Sequence, residues 1–381
     1  MSHLFNNYGR NEKIEFVKGE DVYLYDTDNN QYLDFTSGIG VANLGYSFEA
    51  QKTAIKTQVD QLIHIPNLYH SSIQEEVAEL VGGDDYVGLF VNSGTEANEA
   101  AIKFARLKTG KPEIITFKNG FHGRTYGSMS ATAQEKIQKG FAPLVPGFKY
   151  AEFNDIDSVK ALISPETAAI MLEMIQGEGG VLPANQAFIT ALAQLAEENN
   201  ILLIVDEVQT GIGRTGKKFA FEHFDIQPDV FTLAKGLSNG VPVGAVFAKT
   251  AYASVFAPGT HGSTFGGNFI AMASAKAVLT HMTPAFLDEV AQKGQFAFDY
   301  LQEHLNQEPN IAKIQGIGLM IGIQLKNANQ IPMIMQKLQD DGLLILRAGK
   351  DVIRLLPPLV MTQTQLEIGL EKIVKVVKEV G

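Results

Sequence analysis

Residues 201–207 read ILLIVDE, an unbroken apolar run that ends in two adjacent carboxylates, and this stretch decides the fold. A second apolar run, Val230–Leu233, is closely followed by Lys235. Short, nearly continuous apolar runs are typical of parallel strands that helices cover on both faces. The carboxyl ends of parallel strands meet at one edge of a sheet, and right-handed crossovers place successive strands side by side. We therefore expect Asp206 and Lys235 to be neighbours at that edge.

The centre of the chain, from about residue 75 to 250, repeats the order strand, loop and helix. This order predicts βα units and a mainly parallel sheet. The predicted strands are 87–92, 113–117, 169–174, 201–205, 230–233 and 243–247, and the clearest helices are 96–107 and 186–198.

The two ends of the chain lack this repeat, so we predict two domains. A large α/β domain of mainly parallel sheet, with helices on both faces, is expected at 46–274, and a smaller, discontinuous α+β domain at 1–45 and 275–381. The predicted elements at the ends are a β-hairpin at 14–35 around an Asp/Asn-rich turn, short strands at 316–325 and 343–355, and an amphipathic helix at 365–380 that begins with a capping box of Thr364 and Glu367.

The composition of the 381 residues is that of a globular protein and restricts its partners. Hydrophobic residues make up 45%, and 42 Asp and Glu outnumber 31 Lys and Arg, for a net charge of −11. An acidic surface repels nucleic acids and anionic membranes, so neither is expected as a partner. The absence of Cys excludes disulfides, thiolate metal sites and a Cys nucleophile, and we expect no metal site. Because no apolar leader follows Met1 and no apolar stretch reaches the ~18 residues of a spanning helix, we expect a soluble, cytoplasmic protein.

The segment GIGRTG at 211–216 matches the GxGxxG pattern of dinucleotide-binding proteins. That pattern binds a pyrophosphate only between a strand and the helix that follows it. Here the sequence KKFAF follows, which does not open a helix. We interpret the glycines as loop residues and reject nucleotide binding.

A candidate anion site lies at residues 92–99, which read NSGTEANE. A predicted strand ends here and a helix begins, so free N–H groups at the helix start can face an anion. Gly94 permits close approach of the backbone, and Thr95 adds a hydroxyl. Taken alone, the segment is better explained as an ordinary helix start that is capped by Ser93 or Thr95.

Together with this segment, Asp206 and Lys235 meet the chemical requirements of pyridoxal 5′-phosphate. The phosphate needs hydrogen-bond donors, the pyridine nitrogen needs a carboxylate to stay protonated, and the aldehyde needs an amine. Each residue alone has an ordinary interpretation, Asp206 as the cap of a turn and Lys235 as a surface lysine. Phe121, in GFHGRT at 120–125, is a candidate to stack on the ring. Its neighbour His122 is expected either to pack and hydrogen-bond in the pocket or to transfer a proton.

A series of motifs runs through nearly the whole chain: NYGR at 7–10, DFTSGIGVANLG at 34–45, SGTEAN at 93–98, FHGRT at 121–125, QGEGG at 176–180, DEVQTG at 206–211, AKG at 234–236, HGSTFGGN at 261–268 and RLLPPL at 354–359. In sequence and order, these motifs resemble the class III (ω-amino) aminotransferases, a family of the fold-type I pyridoxal-phosphate enzymes. Within that family they are most similar to the N-acetylornithine aminotransferase branch.

The resemblance implies that Lys235 and Asp206 are the catalytic residues. Lys235 would bind the cofactor aldehyde and move a proton between substrate and cofactor, and Asp206 would pair with the pyridine N–H. A homodimer with shared active sites is also implied, because one cofactor contact would come from a neighbouring subunit. The implied cofactor contacts are Ser93, Gly94 and Thr95 at the phosphate, Phe121 and Val208 on the two faces of the ring, Gln209 at the ring hydroxyl, Glu207 in the same segment, and Thr264 from the neighbouring subunit.

The same resemblance implies a site that accepts both an ω-amine and glutamate. Arg354 would bind the α-carboxylate of glutamate, because a guanidinium binds a carboxylate through two parallel hydrogen bonds. Glu178 would neutralise Arg354 while the ω-amine is bound. Arg124 would hold the far carboxylate of either substrate, with Ser263 nearby. The alternative for Arg354 and Glu178 is a permanent structural salt bridge.

The implied reaction is transamination of the δ-amino group of N2-acetyl-L-ornithine with 2-oxoglutarate, which gives N-acetylglutamate 5-semialdehyde and L-glutamate in arginine biosynthesis. Ornithine, succinylornithine and 4-aminobutyrate are alternative donors, and a non-catalytic scaffold of the same fold is the alternative from another class. The sequence departs from the family at Phe269, where Pro is usual after Asn268, and at 44–48, which read LGYSF. Both departures are candidates to reshape the substrate entrance.

Overall fold

Strands and helices alternate through the central part of the computed structural model, which describes residues 3–380. None of the helices in this range is both long and apolar enough to cross a membrane. The strands are β1 (Phe16–Glu20), β2 (Tyr23–Asp26), β3 (Gln31–Asp34), β4 (Tyr86–Val91), β5 (Glu113–Phe117), β6 (Phe148–Ala151), β7 (Thr167–Leu172), β8 (Ile175–Gln176), β9 (Leu182–Pro183), β10 (Leu202–Asp206), β11 (Val230–Leu233), β12 (Gly244–Lys249), β13 (Ile311–Ile317), β14 (Met320–Leu325), β15 (Leu343–Leu344), β16 (Leu346–Ala348) and β17 (Val352–Leu355). The α-helices are α1 (Ser37–Gly40, a single irregular turn), α2 (Glu49–Gln61), α3 (Ser72–Gly82), α4 (Gly94–Thr109), α5 (Tyr126–Ala131), α6 (Glu135–Gln138), α7 (Ile156–Lys160), α8 (Gln186–Glu198), α9 (Phe269–His281), α10 (Pro284–Leu305), α11 (Ile331–Asp340) and α12 (Gln363–Val380). Short 3-10 turns occur at Ala220–Phe224, Lys235–Ser238, Thr250–Tyr252 and Ala328–Gln330.

A seven-stranded sheet in the order β4-β12-β11-β10-β7-β5-β6 confirms the α/β fold that the βα pattern predicts. Strands β11, β10, β7, β5 and β6 pair in parallel, whereas β12 is antiparallel to both β11 and β4. β5 and β11 coincide with their predicted bounds, and the other predicted strands differ by one or two residues at each end. The reversed direction of β12 was not predictable, because the apolar run of a strand buried on both faces is the same in either direction.

Helices cover both faces of this sheet, so its central strands are buried on both sides. Every residue of β7, β10 and β11 is buried. Along β7, Ile170 and Leu172 belong to one hydrophobic cluster, and Ala169 and Met171 belong to a second cluster. Alternate residues of a strand point to opposite faces, so two apolar clusters require a strand that is apolar throughout.

Two four-stranded sheets are built from the ends of the chain, in the orders β1-β2-β3-β15 and β13-β14-β17-β16. The hairpin predicted at 14–35 is present as β2 and β3, with β1 as an additional antiparallel strand. Leu343 of β15 pairs in parallel with Leu33 of β3, so this sheet joins the two ends of the chain. Buried side chains of both sheets and of α10, α11 and α12 form one hydrophobic cluster.

The predicted strand regions at 316–325 and 343–355 overlap β13 to β17. The predicted domain boundary between residues 274 and 275 falls inside α9. The division into domains at 46–274 and at 1–45 with 275–381 stays a prediction. Residues 1, 2 and 381 of the predicted small domain lie outside the described residues.

Helix α12 has its capping box two residues earlier than the sequence pattern predicts. Thr362 Oγ1 accepts a hydrogen bond from Gln365 N at 3.2 Å, and Gln365 Oε1 accepts one from Thr362 N at 2.9 Å. Thr364, which was expected to cap the helix together with Glu367, lies inside it, so that prediction is wrong. Both pairs fit the capping-box pattern, and the earlier start adds backbone hydrogen bonds, the first from Leu366 N to Thr362 O at 2.9 Å.

We expect Thr362→Ala to lower the free energy of unfolding by about 1 kcal/mol, the usual cost of removing an N-cap hydroxyl. Thr364→Ala is the matched control, and it should change the free energy of unfolding by less than about 0.5 kcal/mol, because this side chain is exposed. Urea unfolding followed by circular dichroism measures both values. An equal loss in the two variants would contradict the observed cap.

Candidate active site

A cavity of about 440 Å³ lies at the carboxyl ends of the central strands. Parallel β10 and β11 carry Asp206 and Lys235 to the same edge, since Asp206 pairs in register with Thr232. The structure therefore brings most of the predicted site residues together. Those that line the cavity are Ser93, Gly94, Thr95, Phe121, Arg124, Asp206, Val208, Gln209 and Lys235, and they are joined by Asn92, Asn98, His122 and Glu173.

Asp206 is buried and accepts hydrogen bonds through both carboxylate oxygens. Its Oδ2 accepts from Asn98 Nδ2 and His122 Nδ1, both at 2.8 Å, and its Oδ1 accepts from Val208 N at 3.0 Å. Burial alone would lower the pKa of His122, but the hydrogen bond and the charge of Asp206 raise it overall. His122 is therefore a buried donor to Asp206, the first of the two roles that the sequence left open. A carboxylate held in this way suits the protonated nitrogen of a pyridine ring.

Lys235 begins a tight turn that is separated from β11 by one residue, and its φ of +43° is one that residues other than glycine rarely adopt. The next residue, Gly236, has no room for a side chain, because a Cβ there would lie 2.3 Å from Asn43 Nδ2. Burial lowers the pKa of Lys235, and the positive charge of Arg354 lowers it further. A lowered pKa increases the fraction of neutral amine, which is the nucleophile that an aldehyde requires.

The candidate anion site at the start of α4 combines a capped helix end with a cluster of hydroxyls. Ser93 Oγ accepts a hydrogen bond from Glu96 N at 3.3 Å, so Ser93 is the N-cap. Thr95 Oγ1 lies 2.6 Å from Ser128 Oγ. A Cβ on Gly94 would lie 2.7 Å from the Val208 side chain at the back of the cavity. The capping interpretation is therefore confirmed. The same helix start lines the cavity, and its role as an anion site stays a prediction.

Phe121 and Val208 both line the cavity, and they are the candidates for the two faces of a planar ring. Phe121 N donates a hydrogen bond to Glu173 Oε2 at 3.0 Å, which fixes the backbone beneath its side chain. The guanidinium carbon of Arg124 lies 5.6 Å from the centre of the Phe121 ring. Arg124 therefore stands at the edge of the cavity, where it can reach a carboxylate of the substrate.

Glu173 and Asn98 belong to the site, and sequence reasoning missed both. Glu173 directly follows β7, so it carries the same signal as Asp206, a carboxylate at the end of an apolar run. Asn98 is 1% exposed although it lies on a helix of mixed polarity. Polar residues on such a helix are ordinarily solvated, so no pattern in the sequence distinguishes Asn98 from a surface residue.

Arg354 is buried beside the cavity, and its guanidinium has an acidic partner. Its Nη1 donates to Glu178 Oε1 at 2.6 Å, to Gly177 O at 2.9 Å and to Gln209 Oε1 at 3.2 Å. Within residues 3–380, no hydrogen-bond partner reaches its buried Nε. The Glu178 side chain is 31% exposed, so it has room to move away from Arg354. This geometry fits both a carboxylate switch and a permanent salt bridge.

Ser263 and Thr264 lie outside the cavity lining. Ser263 Oγ accepts a hydrogen bond from Asn92 Nδ2 at 3.0 Å, which places it beside the start of α4. Thr264 is exposed. Thr264 does not line the cavity of its own chain. Its exposed position suits a residue that contributes to the site of another subunit.

Glu207 is not among the residues that line the cavity, so its role as a cofactor contact stays a prediction. Its carboxylate accepts hydrogen bonds from Thr210 Oγ1 at 2.5 Å and from Phe221 N at 2.9 Å. Successive side chains at a strand end point to opposite faces, and Asp206 occupies the side of the cavity.

The two departures from the family pattern do not line the cavity. Tyr46 OH donates to Asp34 Oδ2 at 2.6 Å, and Ser47 Oγ accepts from Asp21 N at 2.7 Å. Phe269 is the first residue of α9. The contacts of Tyr46 and Ser47 therefore lie in the N-terminal segment rather than in the walls of the cavity.

The GIGRTG segment at 211–216 is a packed loop. Arg214 is fully buried and donates to Leu319 O at 3.0 Å, Pro357 O at 2.5 Å and Asn43 Oδ1 at 2.6 Å. Burial lowers the pKa of Arg214 to about 9. The loop therefore connects residues from both ends of the chain to the central sheet.

Burial raises the pKa of Glu207 to about 7, from an ordinary value of 4.5. The folded protein thus holds a proton that the unfolded chain releases, and stability should fall as the pH rises from about 4.5 to 7. Glu207→Gln stays neutral at all pH values, so it should remove this loss. At pH 8 we expect the variant to exceed the wild type in free energy of unfolding by about 3 kcal/mol, because each pKa unit corresponds to about 1.4 kcal/mol.

Urea unfolding at pH 4.5 and pH 8 measures this effect. At pH 4.5 the variant and the wild type should be equally stable. The exposed Glu197→Gln is the control, and it should show no such gain at pH 8. A gain of the same size at both pH values would contradict the raised pKa.

Comparisons with known proteins agree with this arrangement. The family model described as aminotransferase class-III matches residues 5–377. The chain is 54% identical to the acetylornithine aminotransferase of Streptococcus mutans over 97% of each chain, and 54% identical to that of Lactococcus lactis over 99% of this chain and 100% of the relative. Among solved structures, the ornithine aminotransferase of Toxoplasma gondii, which has partial occupancy of PLP at its active site, matches with a TM-score of 0.94 and 31% identity over 99% of this chain and 92% of that chain. The chain therefore belongs to the class-III aminotransferases.

Proposed function

We propose that this class-III aminotransferase uses pyridoxal 5′-phosphate to transfer the δ-amino group of N2-acetyl-L-ornithine to 2-oxoglutarate. The products would be N-acetylglutamate 5-semialdehyde and L-glutamate, in a step of arginine biosynthesis. The observation that carries the proposal is the placement of Asp206 and Lys235 around one cavity, beside the start of α4. The cofactor, when bound, supplies an aldehyde for an amine and an electron-withdrawing ring that stabilises negative charge at the substrate carbon.

The residues that would hold the cofactor are already close to one another. Asp206 would accept the pyridine N–H, and its hydrogen bonds from His122 and Asn98 keep it oriented for this role. Gly94 and Thr95 would bind the phosphate. Phe121 and Val208 would enclose the ring, and Gln209 would contact its hydroxyl.

Lys235 is the residue that moves a proton in this proposal. Its lowered pKa favours the neutral amine, so Nζ can accept a proton from the substrate carbon and then release it. General acid–base catalysis is most efficient when the pKa of the group lies near the working pH, and burial shifts Lys235 in that direction.

Arg354 and Glu178 would allow one site to accept two kinds of amino donor. With the ω-amine bound, Glu178 neutralises the guanidinium, as it does in the observed pair at 2.6 Å. With glutamate bound, the α-carboxylate would take the place of Glu178 as the acidic partner of the guanidinium. Arg124 would hold the far carboxylate in both half-reactions.

The choice of acetylornithine as the amine is supported by the 54% identity to two acetylornithine aminotransferases. Ornithine is the second candidate, since the ornithine aminotransferase of Toxoplasma gondii shares the fold over 99% of this chain. Its identity of 31% is lower, which favours the acetylated amine.

Single-turnover spectroscopy with acetylornithine, ornithine, succinylornithine and 4-aminobutyrate tests the proposed substrate. We expect acetylornithine to react at least about tenfold faster than each of the other amines at equal, subsaturating concentration. Lys235→Ala is the control, and it should still bind the cofactor but lose turnover by about 10³-fold or more. A faster reaction with another amine would assign that amine as the substrate instead of acetylornithine. A wild-type protein that binds no cofactor would refute the proposed enzymatic activity.

We also propose a homodimer in the cytoplasm, in which Thr264 completes the site of the partner subunit. Thr264 lies beside an exposed apolar surface, which is typical of a protein–protein contact. Asn67 Nδ2 connects the two segments of this surface by donating to Ser263 O at 3.1 Å and Gly266 O at 2.8 Å. The apolar surface consists of Leu62, Ile63, Leu68, Tyr69 and Phe265, which are 43%, 51%, 88%, 68% and 62% exposed.

Co-expression of two inactive variants tests the shared site. Lys235→Ala removes the amine, and Thr264→Glu places a negative charge where the phosphate of the partner's site would lie. A mixed dimer has one intact site, so the co-expressed pair should recover about a quarter of the wild-type activity if subunits pair at random. No recovery above that of the separate variants, or a monomer in sedimentation velocity, would contradict the proposal.

A further inference from the structure

Glu173 is a buried carboxylate that connects two loops at the wall of the cavity. It directly follows β7 and is 6% exposed. One oxygen, Oε2, accepts a hydrogen bond from Phe121 N at 3.0 Å, and the other, Oε1, accepts one from Gly177 N at 3.2 Å. A single side chain therefore fixes the backbone of both loops relative to the end of the same strand.

One of these loops contains Arg124 and the other is hydrogen-bonded to Arg354, the two arginines assigned to substrate carboxylates. Arg124 follows Phe121 by three residues and lies over its ring. On the other side, Gly177 O accepts a hydrogen bond from Arg354 Nη1 at 2.9 Å. The peptide groups on either side of Gly177 are thus held by Glu173 at the N–H and by Arg354 at the carbonyl oxygen.

A purely structural role does not require a charge at this position. Two backbone N–H groups can be satisfied by neutral acceptors, whereas burial of a carboxylate is unfavourable. Burial raises the pKa of Glu173, and the charge of Asp206 adds to this effect, against the opposing charge of His122. What the carboxylate offers is two equivalent acceptor oxygens at a fixed separation, which an amide side chain does not have.

We propose that Glu173 is a positioning residue that sets the spacing between Arg124 and Arg354, and thereby the length of the dicarboxylate that the site accepts. The inference rests on the proposed function for the roles of the two arginines. Glu173 itself need not touch the substrate. Its effect is transmitted by the backbone at Phe121 and at Gly177.

The test is the binding of three unreactive dicarboxylates, succinate, glutarate and adipate, to the cofactor-loaded enzyme by isothermal titration calorimetry. These acids differ by single methylene groups, and glutarate has the carbon chain of 2-oxoglutarate. We expect the wild type to bind glutarate at least about tenfold more tightly than succinate or adipate, because a rigid pair of cationic groups discriminates length. Glu173→Gln keeps the size of the side chain but offers one N–H a donor instead of an acceptor, so the preference should fall below about threefold.

Two further variants make the result specific. Glu173→Asp keeps the carboxylate, but its side chain is too short to reach both N–H groups, so it should also lose the length preference. If Glu173→Gln does not fold, the measurement is made on Glu173→Asp. Asp229→Asn is the matched control. Asp229 Oδ2 also accepts a backbone N–H, from Leu203 at 2.9 Å, but it lies at the opposite edge of the same sheet. This control should retain the wild-type preference.

A length preference that persists in both Glu173 variants would overturn the inference and would leave the proposed function intact. A preference that is equally lost in Asp229→Asn would show a general loss of stability and would also overturn it. If another ω-amine proves to be the substrate while glutarate selectivity depends on Glu173, the substrate proposal fails and this inference stands. A wild type without any preference for glutarate would refute both the inference and the assignment of the two arginines.

Discussion

The hydrogen-bonded carboxylate of Asp206 is the interaction on which the candidate site depends. A buried carboxylate is unfavourable unless donors surround it, and here they come from three separate parts of the chain. Asn98 belongs to α4, His122 to the loop after β5, and Val208 N to the turn after β10. Asn98 also donates to His122 O and accepts from Thr232 Oγ1 of β11, both at 2.7 Å. The start of α4, the loop that carries Phe121 and the strand before Lys235 are therefore positioned by the same buried network.

The charges around Lys235 would change little between the two proposed kinds of substrate. The positive charge of Arg354 lowers the pKa of Lys235, and the charge of Glu178 raises it. A substrate carboxylate that replaces Glu178 would supply the same negative charge at nearly the same place. The arginine would thus be neutralised in either half-reaction, and the fraction of neutral lysine would stay similar.

The N-terminal segment reaches the site through a strained turn. Residues 37–40 of α1 all have positive φ, at 45°, 60°, 68° and 73°, and two of them, Ser37 and Ile39, are not glycine. A left-handed conformation costs an ordinary residue about 1–2 kcal/mol, so tertiary contacts must hold it. Ser37 Oγ donates to Leu356 O at 2.6 Å, directly after the strand that carries Arg354. Val41, the next residue after the turn, lines the cavity.

The sequence by itself determined the α/β fold and the placement of Asp206 and Lys235 around one cavity. Strand ends in a parallel sheet are marked by the residue that terminates an apolar run, and this local signal places Asp206 and Lys235 at one edge. Tertiary structure alone decided the direction of β12, the contacts of the buried Glu207 with Thr210 and Phe221, and the inclusion of Asn98. The physical reason is that the pattern of apolar residues along the sequence indicates which residues are buried. The partner of a buried polar group, in contrast, comes from a distant part of the chain and is in place only once the elements have packed.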